Sequence, residues 1–202
     1  CLFSWKGFND QSFFTKYMFH VGAIKSGDKK RVFTSALLHG DLAHLAFNMY
    51  SLYMFAPIVI YVFGNIKFVL VYLASVLVGS LLSLEFNKTN YNYTAIGASG
   101  GVVGVIYSAI LLYPEMNLRL FFIPIDIPAY IFAIAYLAFS VFGIKKSIGN
   151  VGHDAHIGGA IGGILITALF DFSAIINNIK LVALMLIPIV VMFAMHKSGK
   201  LK

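Results

Sequence analysis

Six long apolar segments constrain this chain of 202 residues more than any other feature. A helix that crosses a bilayer needs about 20 predominantly apolar residues, and each segment is close to that length. None of them alternates apolar and polar residues with a period of two, so a helical bundle is preferred to a β-barrel. The sequence therefore predicts an all-α polytopic membrane protein with about six transmembrane helices. The predicted spans are residues 42–63, 68–84, 95–113, 118–142, 151–172 and 179–196.

Composition excludes the other broad classes of protein. Apolar residues make up 59% of the chain and charged residues only 11%, whereas an ordinary soluble domain carries about 25% charged residues. A disulfide scaffold needs paired cysteines, and Cys1 is the only cysteine. The net charge of +7 lies in loops between the apolar segments, without the basic helix or patch that nucleic-acid binding requires. We therefore expect membrane lipid, and no nucleic acid, as a partner.

The segment before residue 42 is more polar than the rest. Residues 12–24 place apolar side chains at helical spacing, with Lys16 and His20 between them, but they are too few to cross a bilayer. This pattern predicts an amphipathic helix at the membrane interface. The chain begins with Cys1 rather than methionine and shows no signal-peptide pattern, so we expect that residues have been removed from its N-terminus.

Polar side chains inside the apolar segments are candidate functional groups, because ionisable groups are costly at membrane depth. The first cluster contains His39, His44 and Asn48. His44 and Asn48 are four residues apart and therefore share one face of a helix. Either these two side chains form hydrogen bonds that hold helices together, or they belong to a functional site.

The second cluster is Gly-Ala-Ser-Gly-Gly, which begins at Gly97 and opens an apolar segment. Gly100 and Gly104 match the small-xxx-small pattern that lets two membrane helices approach closely. The same stretch places Ser99 at a helix N-terminus, where free N–H groups favour a developing oxyanion. Helix packing and nucleophilic catalysis are both open interpretations of this stretch.

The third cluster is Gly-His-Asp-Ala-His-Ile-Gly-Gly, which opens the fifth apolar segment. Gly159 and Gly163 continue the small-xxx-small pattern, and His153 and His156 lie on nearly the same helix face. Asp154 is about 200° round the helix from His156, so it cannot orient that imidazole within a regular turn. Histidines also bind zinc, but the chain lacks a His-Glu-x-x-His motif and a carboxylate placed beside the pair. We expect no metal and no cofactor.

The three clusters lie near one membrane face. The first, third and fifth apolar segments cross the bilayer in the same direction, and each carries its cluster near its beginning. A serine needs a neighbouring base to act as a nucleophile, and the histidine His156 supplies one for Ser99. The backbone N–H of Ser99 and the side chains of His44 and Asn48 would then donate to the oxyanion. The constellation is typical of a serine hydrolase inside the membrane.

Three motifs together resemble those of the rhomboid family of intramembrane serine proteases. They are Gly-Ala-Ser-Gly from residue 97, His39-x4-His44-x3-Asn48, and Ala155-His156-x2-Gly159. The resemblance extends over about residues 30–172. It implies that Ser99 is the nucleophile and His156 the general base of a Ser–His dyad with no third carboxylate. It also implies that His44 and Asn48 are the side-chain donors to the oxyanion.

The resemblance implies further supporting positions, and it has two departures. Arg31 matches an arginine that the family often has after a tryptophan in its first loop, where this chain has Lys30. Val103 stands where many relatives have an aromatic ring that packs on the catalytic histidine, so we expect His153 or Tyr107 to orient that histidine. The implied supporting residues are Arg31, His39, Gly97, Gly100, His153 and Gly159.

The family's fold implies a rhomboid-like helical bundle with six core helices. The segment that begins at residue 42 corresponds to core helix two, so we expect most of core helix one to precede residue 1. Residues 1–38 would then hold its end and an interfacial first loop. The protease core would extend over residues 1–172, and residues 173–202 would add a seventh transmembrane helix and a basic tail.

The resemblance also implies the substrates and the location. The substrates would be membrane proteins with a single transmembrane helix, cut near the membrane surface. We expect a protein of a bacterial or archaeal cell membrane. The face with the three clusters carries most of the lysines and arginines, so the positive-inside rule places it in the cytoplasm. The family in bacteria implies an outward-facing site instead, and both orientations stay open.

Two other functions are compatible with a helical membrane bundle. An inactive rhomboid-like protein would bind membrane helices without cutting them, but such relatives lose the serine or the histidine, and Ser99 and His156 are both present. A small transporter would place charged residues near the middle of the bilayer in several segments. Asp126, between Pro124 and Pro128, suggests such a residue, and we interpret it instead as an irregular helix start near the membrane edge.

Overall fold

The computed structural model describes residues 1–119, 126–146, 148 and 151–201. Within these ranges the α-helices are α1 (Leu2–Asn9), α2 (Gln11–Tyr17), α3 (Val21–Lys25), α4 (Arg31–Thr34), α5 (Leu42–Phe86), α6 (Ser99–Leu112), α7 (Ala129–Lys146), α8 (His153–Phe170), α9 (Phe172–Asn177) and α10 (Ile179–Lys197). A short 3₁₀-helix follows α4 at Ser35–Leu37. The strands are β1 (Phe19–His20), β2 (Thr94–Ala95), β3 (Asn117–Arg119) and β4 (Asp126–Pro128).

The 45-residue helix α5 is a hairpin of two membrane-spanning halves that meet at Gly64. Gly64 has φ +78°, in the left-handed region that glycine adopts without steric cost. Near this turn, Phe63 packs edge-on against Phe170 at the end of α8. Asn87, just beyond the other end of α5, forms a hydrogen bond with Asp154 at the start of α8. The two halves are therefore antiparallel, and they match the first two predicted spans.

The centre of the bundle consists of α5, α6 and α8, which pack through residues without side-chain bulk. A Cβ added at Gly159 of α8 would overlap the carbonyl oxygen of Gly100 of α6, and one at Gly163 would overlap that of Gly104. Gly79 of α5 is also close to α8, because its added Cβ would lie 2.7 Å from a carbonyl oxygen. The small-xxx-small spacing predicts this contact, since glycine lets two membrane helices meet backbone to backbone.

The prediction that residues 118–142 form one span is wrong in its first part. Strands β3 and β4 form an antiparallel pair there, and α7 begins only at Ala129. Nε of Arg119 and Oδ1 of Asp126 are 2.9 Å apart across this pair, on exposed side chains. Both charges therefore lie before α7 and outside the apolar helix. Asp126 lies in β4, just before the start of α7, which agrees with an irregular helix start. Pro124 lies outside the described residues.

The prediction of a single interfacial helix over residues 12–24 is also wrong. Helix α2 ends at Tyr17, strand β1 follows, and α3 then begins. Strand β1 pairs with β2, in the loop that precedes Ser99. Nδ1 of His20 accepts a hydrogen bond from the N–H of Ala23 at 3.1 Å and caps α3. Because strand pairing satisfies the backbone groups that a continuous helix would satisfy, the chain changes direction here and joins the loop before α6.

The last helix, α10, packs against α7 at the periphery of the bundle. Met185 and Met192 of α10 are fully buried and share a core cluster with Leu137 of α7. Within the described residues, α5, α7, α8 and α10 are long and apolar enough to cross a membrane, and α6 is a shorter apolar helix. The predicted all-α polytopic membrane fold is thus confirmed, and α10 coincides with the last predicted span.

Candidate active site

Ser99 is the first residue of α6, and its position depends on Gly97. Gly97 has φ +118°, a conformation that strains a residue with a side chain. Its N–H donates to the carbonyl of Ser35 at 3.0 Å, which fixes the turn against the 3₁₀-helix Ser35–Leu37. The turn leads directly into the first N–H groups of α6, which have no partner inside the helix. The positive end of the helix dipole is therefore directed at the site.

The side chains of Ser99 and His156 are in hydrogen-bond contact. Oγ of Ser99 and Nε2 of His156 are 2.7 Å apart, and His156 is only 7% exposed. His156 lies in the first turn of α8, and the contact between Gly100 and Gly159 holds α6 and α8 together beside the pair. A serine hydroxyl can transfer its proton to a neutral imidazole at this distance, so the pair has the geometry of a nucleophile and its general base.

A third side chain, Tyr136 of α7, contacts this pair, and no sequence motif singled it out. Its hydroxyl lies 2.8 Å from Nδ1 of His156. The two rings are inclined by only 28°, with centroids 5.9 Å apart. Val103, which departs from the aromatic ring of the family's pattern, is buried. Tyr107, one of the two side chains expected to orient His156, donates instead to the carbonyl of Ala133 on α7. The other, His153, has its ring edge-on to that of His156, with centroids 6.1 Å apart.

His44 approaches Ser99 across Gly97. A Cβ added to Gly97 would lie 2.9 Å from Nε2 of His44 and 3.6 Å from Oγ of Ser99, so the glycine leaves room for the imidazole beside the serine. Asn48 is buried one turn along α5, and its Nδ2 donates to the carbonyl of His44 at 3.0 Å. Because an amide carries two N–H groups, this bond leaves Asn48 a second donor.

His39 packs against His44 and connects it to the first helix. The two rings meet edge-on, with centroids 5.0 Å apart. Oγ of Ser4 donates to the carbonyl of Leu37 at 2.9 Å and therefore accepts a hydrogen bond from Nδ1 of His39, also at 2.9 Å. Burial, with a smaller contribution from His44, lowers the pKa of His39 to about 4. Its ring is therefore neutral near pH 7, which suits a side chain that is 3% exposed.

His153 and Asp154 connect α8 to other elements. His153 packs edge-on against Phe139 of α7, and its Nε2 lies 3.2 Å from the carbonyl of Ile148. Asp154 accepts a hydrogen bond of 2.6 Å from Nδ2 of Asn87 and so ties the end of α5 to the start of α8. Across the described part of the chain, no group of three His, Cys, Asp or Glu residues is arranged to hold a metal ion.

Comparison with known proteins decides the family of the chain. Residues 26–171 match the family model described as Rhomboid domain, which is more than half of the chain. The chain belongs to the rhomboid family. RHOMBOID-like protein 12, mitochondrial, of Arabidopsis thaliana is 31% identical over 172 residues, which cover 77% of this chain and 51% of the relative. Rhomboid protease GluP of Bacillus subtilis is 32% identical over 145 residues, which cover 72% of this chain and 27% of the relative.

The rhomboid relatives differ in length and in source. Rhomboid protein 1, mitochondrial, of Saccharomyces cerevisiae is 30% identical over 140 residues, 68% of this chain and 40% of the relative. This rhomboid chain thus spans about half or less of the length of these three relatives. They come from mitochondria and from a bacterium, so the expectation of a bacterial or archaeal cell membrane is not supported. The apolar helices and the family do make it an integral membrane protein.

In this rhomboid domain, Arg31 holds the first loop together. Its Nη1 donates to the carbonyls of Thr15 and Met18 at 2.8 and 2.9 Å. Its Nε donates to Asp28 at 2.8 Å. The end of α2 and the turn before α4 therefore meet at one guanidinium group, whose fork of donors a lysine does not reproduce. The neighbouring Lys30 is exposed and lies over the ring of Tyr17.

Two cavities of the rhomboid domain lie near the starts of α6 and α8. The larger, of about 680 Å³, is lined by His44 and His153 and by Phe14 of the first loop. The smaller, of about 40 Å³, is lined by Ser99 together with Ser35, Gly97 and Ala155 among others. The larger space lies between the first loop and the start of α8, and Ser99 lines the smaller one.

Proposed function

We propose that this chain is an intramembrane serine protease that hydrolyses a peptide bond in or near the transmembrane helix of single-span membrane proteins. The observation that carries the proposal is the 2.7 Å contact between Oγ of Ser99 and Nε2 of His156 inside a rhomboid domain. The printed name of Rhomboid protease GluP, which is 32% identical, supports the same chemistry.

In the proposed reaction, Ser99 and His156 act together in two half-reactions. Oγ of Ser99 forms a bond to the substrate carbonyl carbon while its proton moves to Nε2 of His156. His156 then transfers this proton to the leaving nitrogen as the C–N bond breaks. A water molecule next attacks the acyl carbon while one of its protons moves to Nε2 of His156. The bond between the acyl carbon and Oγ then breaks, and Nε2 returns a proton to Oγ of Ser99.

The oxyanion in this reaction needs hydrogen-bond donors that are already in place. The backbone N–H of Ser99 at the start of α6 is one, and His44 is close to the same space across Gly97. Asn48, one turn from His44, has a second amide N–H to contribute. Such donors stabilise a developing charge strongly where bulk water is scarce.

The test is cleavage of a reporter transmembrane substrate by the purified protein in liposomes. We expect Ser99→Ala and His156→Ala each to lose cleavage, because one removes the nucleophile and the other its base. Their effects should not add in the double variant, since the two groups act as a unit. Ser198→Ala, at an exposed position after α10, is the control and should keep the parent rate.

Two results would contradict the proposal. Cleavage that survives in Ser99→Ala would exclude this serine as the nucleophile. A parent protein that binds the reporter helix but never cuts it would indicate the alternative function, an inactive rhomboid-like protein that binds membrane helices. Melting temperatures of all variants show whether a loss of cleavage reflects chemistry or unfolding.

A further inference from the structure

We infer that Tyr136 is a positioning residue that accepts a hydrogen bond from Nδ1 of His156 and thereby leaves Nε2 free to take the proton of Ser99. The inference rests on the proposed function and adds a group that does for His156 what a carboxylate does in a three-residue site. The 2.8 Å contact between the Tyr136 hydroxyl and Nδ1 carries it.

The ring of Tyr136 is held in place by its neighbours. Phe132, one helical turn earlier on α7, stacks against it with centroids 5.7 Å apart and an angle of 22°. The hydroxyl of Tyr107 on α6 binds the carbonyl of Ala133, in the same stretch of α7. The bond from Tyr107 fixes this stretch of α7 against α6, and the stacking of Phe132 restrains the Tyr136 ring on α7 itself.

The face of α7 that carries Tyr136 also packs against α8. Phe139 and Gly143 follow Tyr136 at intervals of three and four residues and therefore share its face. Phe139 packs edge-on against His153, and a Cβ added at Gly143 would overlap the same imidazole ring. Helix α7 thus meets both histidines in the first turn of α8 along one stripe, which aligns Tyr136 with His156.

The proton positions follow from the chemistry of imidazole. A neutral imidazole carries one proton, and Nε2 of His156 accepts from Ser99 only when that proton is on Nδ1. An N–H at Nδ1 needs an acceptor in a buried site, and the oxygen of Tyr136 supplies it. When Nε2 takes the serine proton, the ring becomes a cation and the bond to Tyr136 becomes charge-assisted. Tyr136 keeps its own proton throughout, and Nδ1 keeps its proton.

Among the acidic residues, Asp154 is the one nearest to His156 in sequence, and it is engaged elsewhere. Its carboxylate accepts from Nδ2 of Asn87 and from the backbone N–H of Ala155. The group that contacts Nδ1 of His156 is thus Tyr136 of α7, and not the carboxylate of Asp154 on the same helix as His156.

The experiment compares Tyr136→Phe, which keeps the ring and removes the hydroxyl, with Tyr136→Leu, which removes both. The matched control is Tyr130→Phe, which removes a hydroxyl from an exposed position on the same helix. We expect kcat on the reporter substrate to fall roughly tenfold in Tyr136→Phe, with KM unchanged, because a bond that becomes charge-assisted in the reaction is lost. Tyr136→Leu should fall further, and Tyr130→Phe should keep the parent kcat.

A spectroscopic measurement separates positioning from simple packing. Nitrogen-15 NMR of protein labelled in histidine reports which ring nitrogen carries the proton. We expect the proton of His156 on Nδ1 in the parent and a mixture of both tautomers in Tyr136→Phe. A parent kcat in Tyr136→Phe would overturn the inference. So would a lower kcat accompanied by a lower melting temperature and an unchanged tautomer, since that combination indicates packing alone.

The two proposals fail in different ways. Cleavage by Ser99→Ala would overturn the proposed function. Loss of cleavage in Ser99→Ala together with parent kcat in Tyr136→Phe would leave that function standing and would remove only the positioning role. If Tyr136→Leu does not fold, Tyr136→Phe with its control still decides the question.

Discussion

At the residue scale, the donors around Ser99 come from two helices and differ in how they are held. His44 lies close to Gly97, whereas Asn48 is partly engaged with the carbonyl of His44. If both stabilise the oxyanion, each contributes to the transition state and little to the ground state, because the substrate carbonyl carries much less charge.

We expect His44→Ala and Asn48→Ala each to lower kcat without abolishing it, and the double variant to fall much further. Loss of one such donor typically costs roughly 10²- to 10³-fold, and the remaining donors should cover part of this. Steady-state kinetics on the reporter substrate measure the effect, with KM little changed. Asn9→Ala, on the exposed end of α1, is the control. An unchanged kcat in the double variant would reduce the two residues to a packing role.

His39 should make the fold sensitive to acid. Its pKa falls from the ordinary 6.5 to about 4 in the folded protein, mainly because the ring is buried. The unfolded chain therefore binds a proton at higher pH than the folded one, so this contribution to stability is complete above pH 6.5 and is lost as pH falls towards 4. Melting temperatures between pH 7 and pH 4 should fall less steeply in His39→Gln than in the parent. Parallel curves would show that His39 does not titrate as described.

At the scale of elements, the bundle depends on backbone contacts between α6 and α8. The carbonyl oxygens of Gly100 and Gly104 occupy the space where side chains of Gly159 and Gly163 would lie. Ser99 and His156 are only one turn from the first of these contacts. The distance between the two catalytic candidates is therefore set by the absence of side chains on the two helices that carry them.

We expect Gly159→Ala and Gly104→Ala to lower both thermal stability and cleavage. The new Cβ at Gly159 would overlap the carbonyl oxygen of Gly100. The one at Gly104 would lie 2.8 Å from the carbonyl oxygen of Gly159 on α8 and would also overlap the Ser75 side chain on α5. Overpacking of this kind costs typically about 1–3 kcal/mol. The matched control is Gly40→Ala, whose Cβ would make an ordinary contact at 3.5 Å. Parent melting temperatures in both test variants would mean that α6 and α8 do not meet along these glycines.

At the scale of the whole molecule, the candidate site is assembled at one end of the bundle. The first half of α5, α6 and α8 all begin there, and the first loop is attached to the same end by the pairing of β1 with β2. The hairpin at Gly64 brings the second half of α5 back to this end, where Asn87 binds Asp154. The larger cavity lies at this same end, between the first loop and the start of α8.

Parts of this arrangement were predictable from the sequence. The helical membrane class follows from apolar length, and the shared end of the three clusters follows from counting spans. The approach of α6 and α8 follows from glycines at Gly100, Gly104 and Gly159. Apolar length and glycine spacing are local properties of the sequence, and the shared end depends only on the number of spans between the clusters. None of these predictions requires knowledge of contacts between distant residues.

Other parts depended on tertiary contacts. The apolar run that begins at residue 118 has the composition of a helix, but its first residues belong to strand β3, which pairs with β4, and α7 begins only at Ala129. Residues 12–24 have helical periodicity, but β2, more than 60 residues further on, pairs with Phe19–His20 and interrupts it. In both places, backbone hydrogen bonds between two strands replaced those of the predicted helix; the partner strand is close in sequence in the first case and distant in the second.

The sequence by itself determined that the chain is a rhomboid-type helical membrane bundle, and it singled out Ser99 and His156 by motif and spacing. Only the tertiary structure decided which group meets the far side of His156. A tyrosine in an apolar span was the one available signal for Tyr136, and Tyr107 carried the same signal. Tertiary contacts distinguish the two. Tyr107 on α6 binds the carbonyl of Ala133, whereas Phe139 and Gly143 contact His153 and so orient α7 with Tyr136 towards His156.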